Sequence, residues 1–393
     1  MIQLIIYALV LFSCGKKSTG ENNNTPPETK PTLSITNVQN TRDTKNAVNF
    51  IFVVNTSKAY SKPITVHYTT VDETAKATTD YTPVNGTLTI PANTWNASIS
   101  VSVPANNLRE APKTFYLQLS DPVNATLSGN GKAIGTILSD GTDLNVDNSG
   151  YTTPLAQPGY VLKWSDEFNG NVLDNTAWNY ETGGSGWGNN ELQNYTTSAK
   201  NSFLTNGYLV IEARKETVGN NDYTSARLQT LGKKEFTYGR VDIRAKLPKG
   251  KGIWPALWML GANIATTPWP ASGEIDIMEV LGHEPNKTYG TIHWGNVGSG
   301  STHIGKDYSL PSGDFSQSFH VFSFIWTADK MEWLIDDVKF YTAFKSEVNG
   351  NYPFDKPFFF ILNVAVGGNW PGNPDASTVF PQRMIVDYIR MFQ

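Results

Sequence analysis

The chain has 393 residues, of which 39% are hydrophobic and 17% are charged, and a length of this order predicts two or three domains. Its 33 glycines and 22 prolines, combined with few charges, argue against a long helical bundle and favour many short strands. The formal net charge of −4 leaves no basic footprint, which excludes nucleic acid as a partner, and the single cysteine excludes an intramolecular disulfide.

Residues 1–14 form an uncharged, largely apolar leader that ends at the one cysteine, Cys14. The apolar run at residues 4–12 is too short to span a bilayer and has the length of a signal-peptide core. Residues 11–14 (LFSC) resemble a bacterial lipobox, in which the cysteine becomes the lipidated first residue. We expect an exported protein held at the bacterial outer membrane only by a lipid anchor. If Cys14 is incidental, we expect an ordinary cleaved signal peptide and secretion.

Residues 15–31 are polar and rich in Pro and Asn, which predicts a disordered linker. In residues 32–140, apolar and polar residues alternate, as where Ile99 and Val101 are flanked by serines. Such patterns, with frequent turn signals, predict a small Ig-like β-sandwich of about seven strands. A second polar linker, residues 141–159, separates it from an unlike second half.

The order of motifs in residues 32–140 resembles the Calx-beta domain. The motifs that carry this resemblance are residues 80–81 (DY), 86–90 (GTLTI), 114–115 (TF) and 119–122 (LSDP). Some members of that family bind calcium through acidic clusters at one end of the sandwich. The corresponding stretch here, residues 106–110, lacks several carboxylates, whereas calcium prefers about six to eight oxygen ligands. We therefore favour a spacer or docking module.

Residues 160–393 contain ten of the eleven tryptophans. Period-two alternation recurs, as at residues 241–247, and no helical-period stretch of useful length is present. The pattern predicts an all-β domain, so that the whole chain is all-β. Trp326 and Trp333 lie in alternating strands and are expected in the core.

The acidic strand at residues 273–279 (GEIDIME) is the sharpest feature. Strict alternation puts Glu274 and Asp276 on one face and Glu279 among the apolar side chains of the other, where an unpaired carboxylate is costly. A one-residue β-bulge near residues 277–278 would bring Glu279 back to the acidic face. Hydrolysis of a glycosidic bond with retention needs two such carboxyl groups, and crowding keeps at least one of them protonated. The spacing alone does not assign the roles.

Aromatic residues accompany this strand. Trp254 and Trp258 share a face just before it, Trp294 follows it, and Trp187 and Trp370 lie in glycine-rich loops, where a core residue is not expected. Flat aromatic rings stack on the apolar faces of sugars. The aromatic residues near the acidic strand favour a sugar-binding cleft over the alternative, a solvent-exposed acidic strand edge.

Residues 160–393 resemble glycoside hydrolase family sixteen, specifically its laminarinase-like endo-β-1,3-glucanases. The matching motifs include residues 164–168 (WSDEF), 187–195 (WGNNELQNY), 274–279 (EIDIME), 363–372 (NVAVGGNWPG) and 386–390 (VDYIR). The resemblance implies a concanavalin-like β-jelly-roll whose concave sheet forms the substrate cleft. It also implies Glu274 as nucleophile, Asp276 as its assisting carboxylate and Glu279 as general acid/base.

The same resemblance implies a set of binding residues. The expected sugar contacts are Trp254, Trp258, His293, Asn189 and, at the cleft rim, Trp370. His293 could equally be a structural histidine. Catalysis is expected to need no cofactor. The resemblance implies a structural calcium on the convex face, held by Glu167, the Gly207 carbonyl and Asp387.

The function that this resemblance implies is retaining hydrolysis of internal β-1,3 bonds in laminarin-type glucans by a monomer. Two alternatives stay open: a hydrolase of another polysaccharide (mixed-linkage glucan, agar or carrageenan), and a non-catalytic β-glucan-binding protein. Sulfated polymers require Arg and Lys in the cleft, whereas residues 254–294 combine aromatic and acidic residues with a single base, Lys287. Relatives that only bind generally lose the catalytic carboxylates, and all three are present here.

Overall fold

The fold is known from a computed structural model that describes residues 28–393. The leader, with its predicted lipidation at Cys14, and most of the first predicted linker lie outside the described residues. The described chain is built from β-strands and a single 3-10 turn. No helix in residues 28–393 is long and apolar enough to cross a membrane.

The first domain is a β-sandwich of two sheets, with the strand orders β6-β3-β1-β8 and β2-β9-β7-β4-β5. Its core follows from alternation: along β3, Phe50 and Phe52 are fully buried, while Ile51 between them is exposed. Phe115 and Tyr81 stack inside with ring centroids 4.4 Å apart. The strands are β1 (Thr32–Ile35), β2 (Val38–Arg42), β3 (Val48–Thr56), β4 (Ile64–Asp72), β5 (Asn85–Ile90), β6 (Asn96–Val103), β7 (Lys113–Val123), β8 (Thr126–Leu127) and β9 (Lys132–Ser139).

The second domain contains two eight-stranded sheets packed face to face. The back sheet has the order β13-β14-β27-β18-β23-β24-β25, with β10 paired to β27; the cleft sheet has the order β11-β16-β26-β19-β20-β21-β22, with β17 paired to β26. The strands are β10 (Leu162–Asp166), β11 (Asn179–Glu181), β12 (Gln193–Tyr195), β13 (Ser202–Thr205), β14 (Tyr208–Ala213), β15 (Tyr223–Ser225), β16 (Arg227–Gln229), β17 (Glu235–Phe236), β18 (Gly239–Lys246), β19 (Ile253–Gly261), β20 (Glu274–Glu279), β21 (Lys287–Trp294), β22 (Thr302–Ser309), β23 (His320–Trp326), β24 (Lys330–Ile335), β25 (Val338–Phe344), β26 (Phe358–Val366) and β27 (Gln382–Phe392), and the 3-10 turn is Lys345–Glu347.

One apolar core fills the space between these two sheets. Trp326 and Trp333 are 3% and 0% exposed, so the prediction that they are core residues is confirmed. Trp294, which was predicted to be one of the sugar-facing aromatic residues, is also in the core. It is 3% exposed and donates its indole N–H to the Asn349 carbonyl at 2.9 Å. On β21 it alternates with His293, which takes the cleft face instead.

Residues 141–159, predicted to be a linker, contain a segment packed on the second domain. Gly150 forms a parallel bridge with Phe319, and a Cβ there would lie 2.0 Å from the Phe319 carbonyl oxygen, so only glycine fits this close approach. The Thr153 N–H donates to the Tyr388 hydroxyl at 2.8 Å. Polar composition suggested a free linker, but backbone groups make these contacts, and composition does not report them.

A buried ion pair also joins the two domains. Arg109, from the first domain, donates to both oxygens of Glu212 on β14, at 2.9 and 3.1 Å. Their side chains are 1% and 0% exposed. Arg214 and Arg383 contact the same carboxylate. Glu212 lies on the back sheet, and no described residue of the first domain lines the cavity on the opposite, cleft sheet.

Candidate active site

The acidic strand β20 contains the bulge that its spacing predicts. On one side, Trp258 pairs with Asp276 and Leu257 with Met278, so Ile277 is skipped. On the other side, three steps along β20 from Asp276 oppose two steps along β21. Ile277 and Met278 both pack in the core although they are consecutive. The extra residue therefore resets the alternation.

As a result, Glu274, Asp276 and Glu279 all face one cavity of about 880 Å³ on the cleft sheet. Glu274 accepts a hydrogen bond from the Trp269 indole N–H at 2.7 Å, and Glu279 accepts one from the Trp254 indole N–H at 3.1 Å. The backbone carbonyl of Asp276 accepts from the buried Trp333 indole at 2.8 Å, which anchors the strand to the core.

Asp276 lies between the two glutamates and is nearly inaccessible, at 2% exposure. Its Oδ2 is 3.3 Å from Nε2 of His293, which pairs with Glu274 across the β20–β21 ladder. His293 thus faces two of the three carboxyl groups rather than the core. The structure brings it to the site, and its position does not fit a structural histidine in the interior.

Burial and mutual repulsion raise the pKa of all three carboxyl groups. Burial, followed by the charge of Asp276, raises the pKa of Glu274 to about 8, while His293 and the Trp269 N–H act in the opposite direction. Burial also raises the pKa of Asp276. Burial and the charges of both neighbours raise the pKa of Glu279 well above its usual range. Because three adjacent carboxyls do not all ionise, the cleft holds at least one proton near neutral pH.

All five predicted sugar-contact residues line this cavity. They are Trp254, Trp258, His293, Asn189 and Trp370. Trp370 is 41% exposed, as expected for the rim, and packs edge-to-face on Trp254 with ring centroids 5.5 Å apart. Trp187, from the other glycine-rich loop, also lines the cavity. Loop position was the signal that separated these two tryptophans from the core ones.

Sequence reasoning missed several cleft residues. They are Glu191, Arg227, Trp269, Tyr289, His303, Lys306 and Asp307. Arg227 lies 4.8 Å from the ring centroid of Trp187 and 4.7 Å from that of Trp258, and it pairs with Glu181. Nothing in the local sequence of the short strand β16 marks this arginine. Trp269 lies five residues before Glu274 in the chain, yet only the fold shows that its indole N–H contacts that carboxyl group.

Potential metal ligands occur both in the cleft and at the back. Among residues 28–393, one group of three metal-binding side chains has ligand atoms within 4.8 Å of one another, namely Glu274, Asp276 and His293. Acid–base chemistry would use the same oxygens, so we treat these residues as part of the cleft and assign no metal there.

The predicted calcium ligands Glu167 and Asp387 have arginine partners instead. Both oxygens of Glu167 accept from Arg390, at 2.9 and 2.8 Å, and Asp387 accepts from Arg244 at 2.7 Å. These guanidinium groups already supply the positive charge that a cation would bring. With these arginine partners, the two side chains do not form an open calcium site. Calcium held by them and the Gly207 carbonyl stays a prediction.

Comparison with known proteins decides the family. Residues 189–390, just over half of the chain, match the family Glycosyl hydrolases family 16. The chain belongs to this family. Residues 28–140 match the Calx-beta domain. The predicted families of both domains and the predicted all-β fold are thereby confirmed.

Relatives in the family cover the second domain well. Glucan endo-1,3-beta-glucosidase A1 of Niallia circulans is 41% identical over 296 residues, which are 69% of this chain and 43% of that protein. A beta-glucanase of Rhodothermus marinus is 41% identical over 251 residues, 60% of this chain and 86% of that protein. The laminarinase catalytic domain of Thermotoga maritima is 52% identical with a TM-score of 0.56, over 60% of this chain and 98% of that one. The chain thus spans less than half of the first relative and most of the other two.

Proposed function

We propose that this family-16 protein is a retaining endo-β-1,3-glucanase that hydrolyses internal bonds of laminarin-type glucans. The observation that carries the proposal is the bulge in β20, which turns three carboxyl groups toward one aromatic-lined cavity. The names of the relatives, a glucan endo-1,3-beta-glucosidase and a laminarinase, support this substrate class.

In the first step, ionised Glu274 attacks the anomeric carbon while Glu279 gives its proton to the glycosidic oxygen. The carbon–oxygen bond breaks, the reducing-end fragment leaves as an alcohol, and a glycosyl ester forms on Glu274. In the second step, Glu279, now a carboxylate, takes a proton from water. That water attacks the same carbon, and Glu274 is released with the configuration retained.

The contacts of the site suit this division of roles. Burial and the charge of Asp276 raise the pKa of Glu274 to about 8, but the Trp269 N–H and nearby His293 act in the opposite direction and favour the ionised form that a nucleophile requires. Burial, and then the charges of the two other carboxyl groups, raise the pKa of Glu279 and favour its protonated form, as a general acid requires. Asp276, between them, is placed to accept or return a hydrogen bond as the charge on Glu274 changes.

The charges of the cleft favour a neutral polymer over a sulfated one. Its acidic residues are Glu191, Glu274, Asp276, Glu279 and Asp307, and its Arg and Lys residues are Arg227 and Lys306. Arg227 is already paired with Glu181, and Lys306 is next to Asp307 in the chain. The cleft therefore offers a sulfated chain few basic groups, whereas a glucan brings no charge that needs them.

The test compares Glu274→Ser with Glu235→Ser; Glu235 is an exposed glutamate on strand β17 of the same sheet and does not line the cavity. We expect Glu274→Ser to lose release of reducing ends from laminarin while still binding laminari-oligosaccharides. Glu235→Ser should keep wild-type activity. Near-wild-type turnover by Glu274→Ser would remove the assignment. Tight laminarin binding without turnover by the wild type would favour a glucan-binding protein, and a panel of agar, carrageenan and mixed-linkage glucan tests the other hydrolases.

We also propose, from the leader alone, that the protein is exported and anchored at the outer membrane by lipid on Cys14. Expression in a host that processes lipoproteins, with an alkyne-labelled fatty acid, tests this. We expect label on the wild type and none on Cys14→Ala. A wild-type chain that is secreted without label would favour an ordinary signal peptide.

A further inference from the structure

A chain of largely buried polar side chains in the cleft floor ends at the Trp258 indole. The indole N–H donates to Asn363 Oδ1 at 2.7 Å, and Asn363 Nδ2 donates to the Tyr195 hydroxyl at 3.0 Å. That hydroxyl donates to Glu191 Oε2 at 3.4 Å. We call Glu191, Tyr195, Asn363 and Trp258 the Trp258 network.

The direction of these hydrogen bonds is fixed by chemistry. An indole N–H can only donate, so Asn363 must present its oxygen to Trp258 and its NH₂ group to Tyr195. The Tyr195 hydroxyl therefore accepts a hydrogen bond from Asn363 and donates its own O–H to Glu191. Each group in the sequence has one role, and reversing any one of them leaves its neighbour without a partner.

Burial makes the network costly to break. Glu191 is 8% exposed, Tyr195 1% and Asn363 6%. A buried polar group without a hydrogen-bond partner is strongly unfavourable, because water does not replace the partner. Gln193 completes the carboxyl end: its Nε2 donates to Glu191 Oε2 at 2.6 Å, and its Oε1 accepts the Val366 N–H at 2.7 Å.

The position of Trp258 gives the network its consequence. Trp258 pairs with Asp276 across the β19–β20 ladder, at the bulge itself. A rotation of the indole would change the shape of the cavity beside the carboxyl groups. Glu191 also contacts a second predicted sugar residue, because Asn189 Nδ2 lies 3.4 Å from Glu191 Oε1.

We propose that Glu191, Tyr195 and Asn363 are positioning residues that hold the Trp258 indole, and through Glu191 also Asn189, in the orientation that binds a glucose unit. The inference rests on the proposed function. Of the three, Tyr195 does not line the cavity, so its effect on substrate must pass through the network. Glu274, Asp276 and Glu279 accept no hydrogen bond from the Trp258 network. The network is therefore expected to affect substrate binding rather than proton transfer.

The experiment compares Tyr195→Phe with Tyr180→Phe. Each change removes one part-buried or buried tyrosine hydroxyl; that of Tyr180 contacts the Ser202 hydroxyl at 2.9 Å, and Tyr180 does not line the cavity. We expect Tyr195→Phe to raise KM for laminarin about fivefold to tenfold, the worth of one lost hydrogen bond. We expect kcat to stay within about twofold of the wild-type value and the pH dependence of kcat to be unchanged. Tyr180→Phe should match the wild type in both.

A double-mutant cycle with Trp258→Phe separates positioning from a general loss of stability. This variant keeps a ring but lacks the N–H, so Tyr195→Phe should add less than about twofold to KM in its background. Asn363→Leu breaks the next link and keeps the test available if Tyr195→Phe does not fold: because Asn363 also lines the cavity, the deciding result is that its KM rise shrinks to less than about twofold in the Trp258→Phe background. An equal KM rise from Tyr195→Phe in both backgrounds, or the same rise in Tyr180→Phe, would overturn the inference. A wild type inactive on laminarin would instead refute the proposed function, and this inference with it.

Discussion

Removal of the Arg109 guanidinium should weaken the contact between the two domains. In Arg109→Met the apolar stem of the side chain is kept, but Glu212 loses two charge-assisted hydrogen bonds. The carbonyls of Asp140, Gly141 and Lys200, which the guanidinium also contacts, lose a donor. Breaking a buried pair by removing one partner costs about 3–5 kcal/mol. Because Arg214 and Arg383 still neutralise Glu212, we expect the lower end of that range.

Urea unfolding and limited proteolysis measure this effect. A chain of two domains need not unfold in one step, so the midpoint of the first transition is the quantity to compare. We expect Arg109→Met to lower that midpoint and to expose residues 141–159 to cleavage. Lys200→Met, whose side chain is 48% exposed and pairs only at the surface, serves as the control. If Arg109→Met and Lys200→Met unfold at the same urea concentration, the buried pair does not hold the domains together.

Three further predictions concern the cleft. Deletion of Ile277 should remove the need for the bulge, because Glu274, Asp276 and Glu279 would then alternate regularly on the cleft face; laminarin hydrolysis should fall less than in Glu279→Gln, and a loss as large as in that variant would contradict the role of the bulge. Trp269→Phe removes a donor that lowers the pKa of Glu274, so the acidic limb of the kcat/KM profile should move up by about 0.5–1 pH unit rather than stay fixed. Glu274→Gln should unfold at higher temperature than the wild type near pH 8 and equally below about pH 4, because a carboxyl whose folded pKa is raised destabilises the fold as pH rises from its unfolded value toward 8. Equal melting temperatures at both pH values would refute the raised pKa.

The bulge could be predicted because it follows from a conflict that the sequence itself contains. Two carboxylates at alternate positions define a face, and a third at the wrong parity is affordable only if the register shifts. The core tryptophans were predictable for a similar reason, since strict alternation assigns Trp326 and Trp333 to one face. Trp294 was misassigned because it lies beside the acidic strand in sequence. Its parity on β21 places His293, and not Trp294, in the cleft.

Features that join distant segments could not be predicted from local patterns. Arg227 reaches the cleft from a three-residue strand, and Glu191 connects to Trp258 only through side chains on β12 and β26. The docked segment at residues 141–159 has a similar cause. Its contacts are made by backbone groups and by a glycine at a close approach. Because such contacts need no apolar side chains, the segment keeps the polar composition that is also typical of a linker.

Mass spectrometry of a trapped intermediate tests most directly whether Glu274 attacks the sugar. A 2-deoxy-2-fluoro laminari-oligosaccharide with a good leaving group should form a stable ester with the enzyme, because the fluorine slows its hydrolysis. Peptide mapping should place the added mass on Glu274, and Glu279→Gln should slow release of the sugar without moving the adduct. An adduct on Asp276 or Glu279, or turnover with inverted configuration and no adduct, would contradict the account.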